Sequence, residues 1–248
     1  CPELVYDRTV GRIVRSVGCS HFSGLIIMSH ALRYDYIVIE GNIGTGKTSL
    51  SNRIAADYSA KLVLERFADN PFLPKFYENQ ARYAFPLELS FLADRFQQLN
   101  DELKPRELFR QQTVADYILS KSLIFASVTL KEDEYQLYQR LFHIIHSQLP
   151  KPDLLVYLHK DVSRLQENIR KRGRDYEQNI PDDYLASLEK GYWDFFRQLT
   201  NQRILVIDTN DLDFVNVKEH YDYVVELINK DYEIGLHRTF HGPETLIR

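Results

Sequence analysis

The sequence is poor in the residues that mark several protein classes. Its two cysteines, Cys1 and Cys19, are too few for a disulfide framework or a cysteine-rich zinc site. That scarcity points to a reduced intracellular compartment. No apolar run is long enough to cross a bilayer as a helix. Leu154 to Leu158 is among the longest, and a spanning helix needs roughly 20 residues. Charge of one sign is not in excess either. Lys plus Arg is 31 against 35 for Asp plus Glu, a net charge of -4. A polycation for nucleic-acid polymers is therefore not expected. Methionine occurs once, as Met28, in a chain that begins at Cys1. The reading is that translation starts at Met28 and that residues 1–33 form an N-terminal extension outside the fold, their first 27 lying upstream of that start. Arg8, Arg12 and Arg15 among small and apolar residues outline a mitochondrial transit peptide, but Glu3 and Asp7 oppose it. A cytoplasmic protein is expected, with a mitochondrial one as the alternative.

What remains is globular. Hydrophobic residues make up 44% and charged residues 27% of 248 residues, enough for one sizeable core. Tyr36-Ile37-Val38-Ile39 reads as a buried strand. Lys61 to Leu64, Thr113 to Ala115, Leu154 to Leu158 and Ile204 to Ile207 read as four more. Helical spacing fills the intervals: Leu50 to Ala55, Leu87 to Leu103, Ile118 to Val128, Glu134 to Leu149, Asp161 to Lys171, Asp182 to Leu199 and Val215 to Asn229. Pro71 and Pro74 read as breaks. The pattern predicts one α/β domain over 34–230, a five-stranded parallel sheet flanked by helices. The tail 231–248 carries no signal.

Gly41-Asn42-Ile43-Gly44-Thr45-Gly46-Lys47-Thr48 fits the phosphate-loop pattern, between a strand and a helix as that pattern requires. Its backbone N–H groups would cradle phosphate oxygens, with Lys47 on the terminal phosphates and Thr48 on Mg²⁺. The chain is therefore expected to bind a nucleoside triphosphate. A GTPase would carry Asn-Lys-x-Asp. Asn229-Lys230-Asp231 has its Asp one place early and reads as a helix end. A small-molecule kinase needs a base and an arginine-bearing lid. Arg170-Lys171-Arg172-Gly173-Arg174 offers the lid, or else a solvated helix end. Glu65, at the carboxyl end of a strand, offers the base, or else a surface carboxylate. Arg66 and Phe67 beside it line the acceptor pocket or simply pack. His143 and His146 have no third metal ligand in view.

The phosphate loop, Leu64-Glu65-Arg66-Phe67, Asn70-Pro71-Phe72-Leu73, Phe76-Tyr77, Phe85-Pro86-Leu87-Glu88 and Arg172-Gly173-Arg174, in this order, resemble the deoxyribonucleoside kinases. Within them the bacterial deoxyguanosine and deoxyadenosine kinase branch is most similar. The resemblance implies transfer of the ATP γ-phosphate to a deoxyribose 5′-hydroxyl, with Mg²⁺, in deoxynucleotide salvage. It implies Glu65 as the general base, and Tyr77 with Glu177 on the 3′-hydroxyl. It implies Arg95 near the nucleobase and Glu88 where a base-reading glutamine is common. Arg172 and Arg174 match the lid arginines, Asp116 the acidic metal-holding residue, and Asp213-Phe214 the loop against the donor adenine. Asp208, at the end of an apolar strand, would be a decoy for the metal. The family's arginine after that acidic residue is replaced by Tyr117, and Lys121 would supply the missing cation. A homodimer is implied. A nucleoside monophosphate kinase and a non-catalytic nucleotide-binding module remain the alternatives. An ionised Glu88 offers two acceptors, which match the adjacent N1–H and N2 amino donors of guanine. A purine preference, deoxyguanosine first, follows.

Overall fold

In the computed structural model, residues 4–7, 12–15, 31–66, 70–103, 112–147 and 149–239 are described. The chain divides into a unit of residues 1–30 and a unit of residues 31–248. In the first, β1 (Leu4–Asp7) pairs antiparallel with β2 (Arg12–Arg15), Leu4 opposite Arg15. The sequence gives no warning of this pair. Met28, Cys1 and Cys19 lie outside the described residues.

The second unit alternates strands and helices around one sheet. Its elements are β3 (Tyr36–Gly41), α1 (Lys47–Asp57), β4 (Lys61–Val63), α2 (Leu73–Glu78), α3 (Gln80–Leu103), β5 (Thr113–Ala115), α4 (Lys121–Thr129) and α5 (Glu132–His146). There follow β6 (Leu154–His159), α6 (Val162–Arg172), a 3₁₀ turn at Asp175–Glu177, α7 (Asp182–Gln198), β7 (Arg203–Asp208), α8 (Lys218–Ile228) and β8 (Gly235–Thr239). The sheet order is β4-β5-β3-β6-β7-β8, parallel throughout. The sheet thus has six strands, not the five expected. The sixth lies in the supposedly signal-free tail, of which residues 240–248 fall outside the described residues. Among the described residues β8 is an edge strand, paired with β7. Among those residues it has a neighbour on one side only, which fits its lack of an apolar run: Gly235-Leu236-His237-Arg238-Thr239.

The inner strands are buried on both faces, which is why they read as unbroken apolar runs. Ile37, Ile39, Leu154 and Val156 face one way, onto Leu50 and Ile54 of α1 and Val224 and Ile228 of α8. Val38, Leu155 and Tyr157 face the other, onto Leu92, Leu99, Tyr138, Tyr192 and Phe196. One proline read as a break lies in a helix, and so does another that carried no such reading. Pro74 sits in the first turn of α2, where a missing N–H leaves no bond unmade. Pro86 lies inside α3, which begins at Gln80 rather than Leu87. Ala84, Leu87 and Phe91 on both sides of it bury against Phe76 of α2. That packing carries the helix through a residue that costs about 3 kcal/mol in a helix interior.

Candidate active site

β3 runs straight into the phosphate loop. Gly46, the N-cap of α1, has φ 91, and a Cβ there would stand 3.1 Å from the Phe214 ring. At Gly41 a Cβ would come within 2.8 Å of the Leu158 carbonyl oxygen of β6. Both positions therefore need glycine. The loop is held from outside as well. Asn42 Nδ2 donates to the Leu185 carbonyl at 2.8 Å, and Asn168 Nδ2 to the Gly44 carbonyl at 2.8 Å. Lys47 Nζ donates to the carbonyl oxygens of Gly41 and Asn42, at 2.8 and 2.9 Å. Its pKa falls to about 8, from burial first and then from the Lys121 charge. Ile43 and Thr45 complete the loop, and Thr45 Oγ1 donates to the Asn42 carbonyl.

A cleft of about 760 Å³ opens beside the loop. Cations gather along it: Lys47, Lys160, Arg164, Lys171, Arg172 and Arg174. Asp213 and Phe214 line it too, the Phe214 ring against Gly46 of the loop. Arg172 closes α6, and Gly173 turns the chain in a left-handed cap at φ 71. Both lid arginines then reach the buried Glu177: Arg172 Nη2 pairs with Oε2, and Arg174 Nη1 with Oε1 at 3.1 Å. The segment is thus the exposed end of α6, with two of its arginines tied to a buried carboxylate. The Tyr77 ring stacks on Tyr176 at 6.0 Å. Burial and then the Glu177 charge push its hydroxyl pKa well up.

Beyond the phosphate loop three segments converge. Thr48 Oγ1 donates to Asp116 Oδ2 at 2.6 Å, just past β5. The other oxygen of Asp116 accepts from the Glu65 backbone N–H at 2.7 Å. The Glu65 side chain is 10% exposed, so it is not a surface carboxylate. Its Oε1 accepts from Arg95 Nε at 2.8 Å and Nη2 at 2.6 Å, and its Oε2 from Lys121 Nζ at 2.6 Å. Burial raises the carboxyl pKa, but Lys121 and Arg95 outweigh it and hold it well below the usual range. Tyr117 is fully buried, and its hydroxyl has no hydrogen-bond partner among the described residues. The cation beside Glu65 comes from Lys121 instead.

Glu88 lies two residues past Pro86 on α3 and is 2% exposed. Its Oε1 accepts from Thr129 Oγ1 at 3.1 Å, and its Oε2 has no hydrogen-bond partner among the described residues. Arg95 is two turns along the same helix, but it serves Glu65 and the Ser122 hydroxyl. Burial, only partly offset by the Arg95 charge, raises the Glu88 pKa to about 7.

A family model described as deoxynucleoside kinase matches residues 37–232. The chain belongs to the deoxynucleoside kinase family. It is 34% identical over 201 residues to the deoxyguanosine kinase of Bacillus subtilis (strain 168), covering 78% of this chain and 97% of the relative. It is 30% identical over 209 residues to a deoxyadenosine kinase of Lactobacillus acidophilus, covering 80% and 97%. The structure of deoxyadenosine kinase from M. mycoides with bound dATP has the same fold, at TM-score 0.68 and 24% identity, covering 78% of this chain and 99% of that one. The protein is an ATP-dependent deoxynucleoside kinase.

Several residues of this kinase escape a reading of motifs. Glu40 interrupts the apolar run of β3 and is 1% exposed. Its carboxylate accepts from the N–H groups of Gly41 and Ile118 and from the Tyr192 hydroxyl, tying the phosphate loop to the segment after Asp116. A charge inside a buried run was the available signal. Lys160, at the end of β6, and Thr129, below Glu88, had none. Arg66 faces outward, 71% exposed, with Glu102 at 3.9 Å, so it does not line the pocket. Phe67 lies outside the described residues. Asp208 is beside His159, 3.8 Å away. His146 stacks on Phe142, and no metal-ligand group is found among the described residues.

Proposed function

We propose that this kinase phosphorylates the 5′-hydroxyl of purine deoxynucleosides, deoxyguanosine first, in deoxynucleotide salvage. The observation that carries the base preference is Glu88, a buried carboxylate with an acceptor oxygen left over. Guanine has two adjacent donors for such a group. The relatives, deoxyguanosine and deoxyadenosine kinases, agree with a purine. Glu65 is the general base. Its clamp of Arg95 and Lys121 keeps it ionised and aimed. Tyr77 and Glu177 take the 3′-hydroxyl, while Arg172 and Arg174 close on the transferring phosphoryl. Lys47 leaves its two carbonyls for the terminal phosphates, and Asp213 with Phe214 lies against the donor base.

Thr48 and Asp116 fit Mg²⁺, because both offer hard oxygens, already 2.6 Å apart, at the cleft. The cation would neutralise charge on the transferring phosphate. Leu137 and Ile144, exposed seven residues apart on α5, support a homodimer formed through helices. A cytoplasmic setting fits the salvage role.

The test is kcat/KM for the four deoxynucleosides with Mg-ATP, on wild type and Glu88→Gln. Deoxyguanosine should lead, and the variant should move toward deoxyadenosine or deoxycytidine by roughly 1–3 kcal/mol. A wild-type lead for thymidine or deoxycytidine, or a ranking that the substitution leaves unchanged, overturns the reading.

A further inference from the structure

Glu88 sits in unusual company. From its own helix α3 comes Arg95, and from the segment after β4 comes Glu65, which holds Arg95 in a two-point pair. From α4 come Lys121, bound to the same Glu65, and Thr129. From α5 comes Tyr138, whose hydroxyl donates to the Glu88 backbone carbonyl at 3.2 Å, not to the carboxylate. Tyr77 of α2 and Tyr184 of α7 complete the surroundings. Both nearby cations thus have their hydrogen bonds on another carboxylate. Glu88 is left with one neutral hydroxyl donor and one unpartnered, buried oxygen. A carboxyl group in such a place exchanges a proton easily, because neither state is strongly favoured. Its pKa near 7 agrees with this.

The two states of the group present different hydrogen-bonding edges. The carboxylate is an acceptor pair. The acid is one donor beside one acceptor, the pattern of a carboxamide. Guanine offers two adjacent donors. Adenine offers the N6 donor beside the N1 acceptor. We infer that Glu88 reads the nucleobase in both of its protonation states, selecting deoxyguanosine as the carboxylate and deoxyadenosine as the acid, so that the substrate preference of this kinase changes with pH. This rests on the assignment of Glu88 as the base reader. It goes further in making the proton part of the recognition.

The experiment is the pH dependence of the ratio of kcat/KM for deoxyguanosine to that for deoxyadenosine, from about pH 6 to about pH 8.5, on either side of the Glu88 pKa of about 7. Titrations of Glu65, of ATP or of the lid act on both substrates and cancel in the ratio. The ratio should rise about tenfold per pH unit while each base binds one protonation state, since one pKa unit is a factor of ten. Glu88→Gln, which has no proton to exchange, should give a ratio that is flat with pH and shifted toward deoxyadenosine. Titration calorimetry in two buffers of different ionisation enthalpy gives a second readout that needs no variant. Deoxyadenosine binding near neutrality should take up a proton, and deoxyguanosine binding should release one. A flat wild-type ratio with no proton exchange overturns the switch. If Glu88→Gln still changes the ranking, the base-reading role stands without it. If the variant changes nothing, the base-reading role falls too.

Discussion

Glu65 is held by two opposing forces. Burial favours its acid form, and two buried cations favour its base form and win. In the proposed role, Glu65→Gln keeps an acceptor for only one of Arg95 and Lys121 and cannot take a proton. It should retain nucleoside binding and lose at least about 10²–10⁴-fold in kcat at saturating ATP, the amide donor that now faces one of the two cations adding to the loss of the base. A rise in KM alone would make Glu65 a binding residue. Glu88 yields a prediction about stability. Its folded pKa, about 7, lies above its ordinary 4.5. The folded state therefore holds the proton more tightly than the unfolded chain does. The stability this contributes is whole below pH 4.5 and is lost as pH rises to about 7. The loss is on the order of 3 kcal/mol. Glu88→Gln should melt like the wild type near pH 4.5 and several degrees higher near pH 8, by differential scanning fluorimetry. The sequence made Glu65 legible because a carboxylate ended a strand. It could not give Glu88 its proton, because the burial depends on Thr129 and Tyr138, forty or more residues away.

Among elements, the phosphate loop was the most legible and the edges of the fold the least. The loop's glycines, lysine and threonine are adjacent in sequence, and their roles come from local backbone geometry. β8 and α2 were hidden for opposite reasons. β8 has too little burial to show a pattern, and α2 has a proline where proline does no harm. The start of α3 was misread because tertiary packing on Phe76 outweighs the penalty of Pro86. Within the loop, Lys47 rests on two main-chain carbonyls. In the proposed role phosphate draws it off them. Lys47→Ala should therefore leave the ligand-free melting temperature nearly unchanged and reduce turnover by at least ~10²-fold, the scale of losing one preorganised charge at a reacting group. Wild-type turnover would remove the phosphate role from this lysine.

For the whole molecule, the two units give a simple expectation. Residues 1–30 contain their own strand pair, and every candidate site residue lies after residue 40. Deleting residues 1–27 should leave kcat and melting temperature unchanged. A fall of several degrees would show that the extension supports the kinase unit. Sheet polarity has a broader consequence. Gly41–Thr48, Glu65, Asp116, Lys160 and Asp213 each follow the carboxyl end of a strand, β3 to β7 in turn. Connections that enter the strands at their amino ends carry none of these groups. One rim of the sheet therefore does the chemistry, and the opposite rim is open to change. Thr200 and Asn201, exposed between α7 and β7, lie on that quiet rim. A small reporter domain spliced between them, or new termini cut there by circular permutation, should give a protein with wild-type kcat and an unaltered order of substrates.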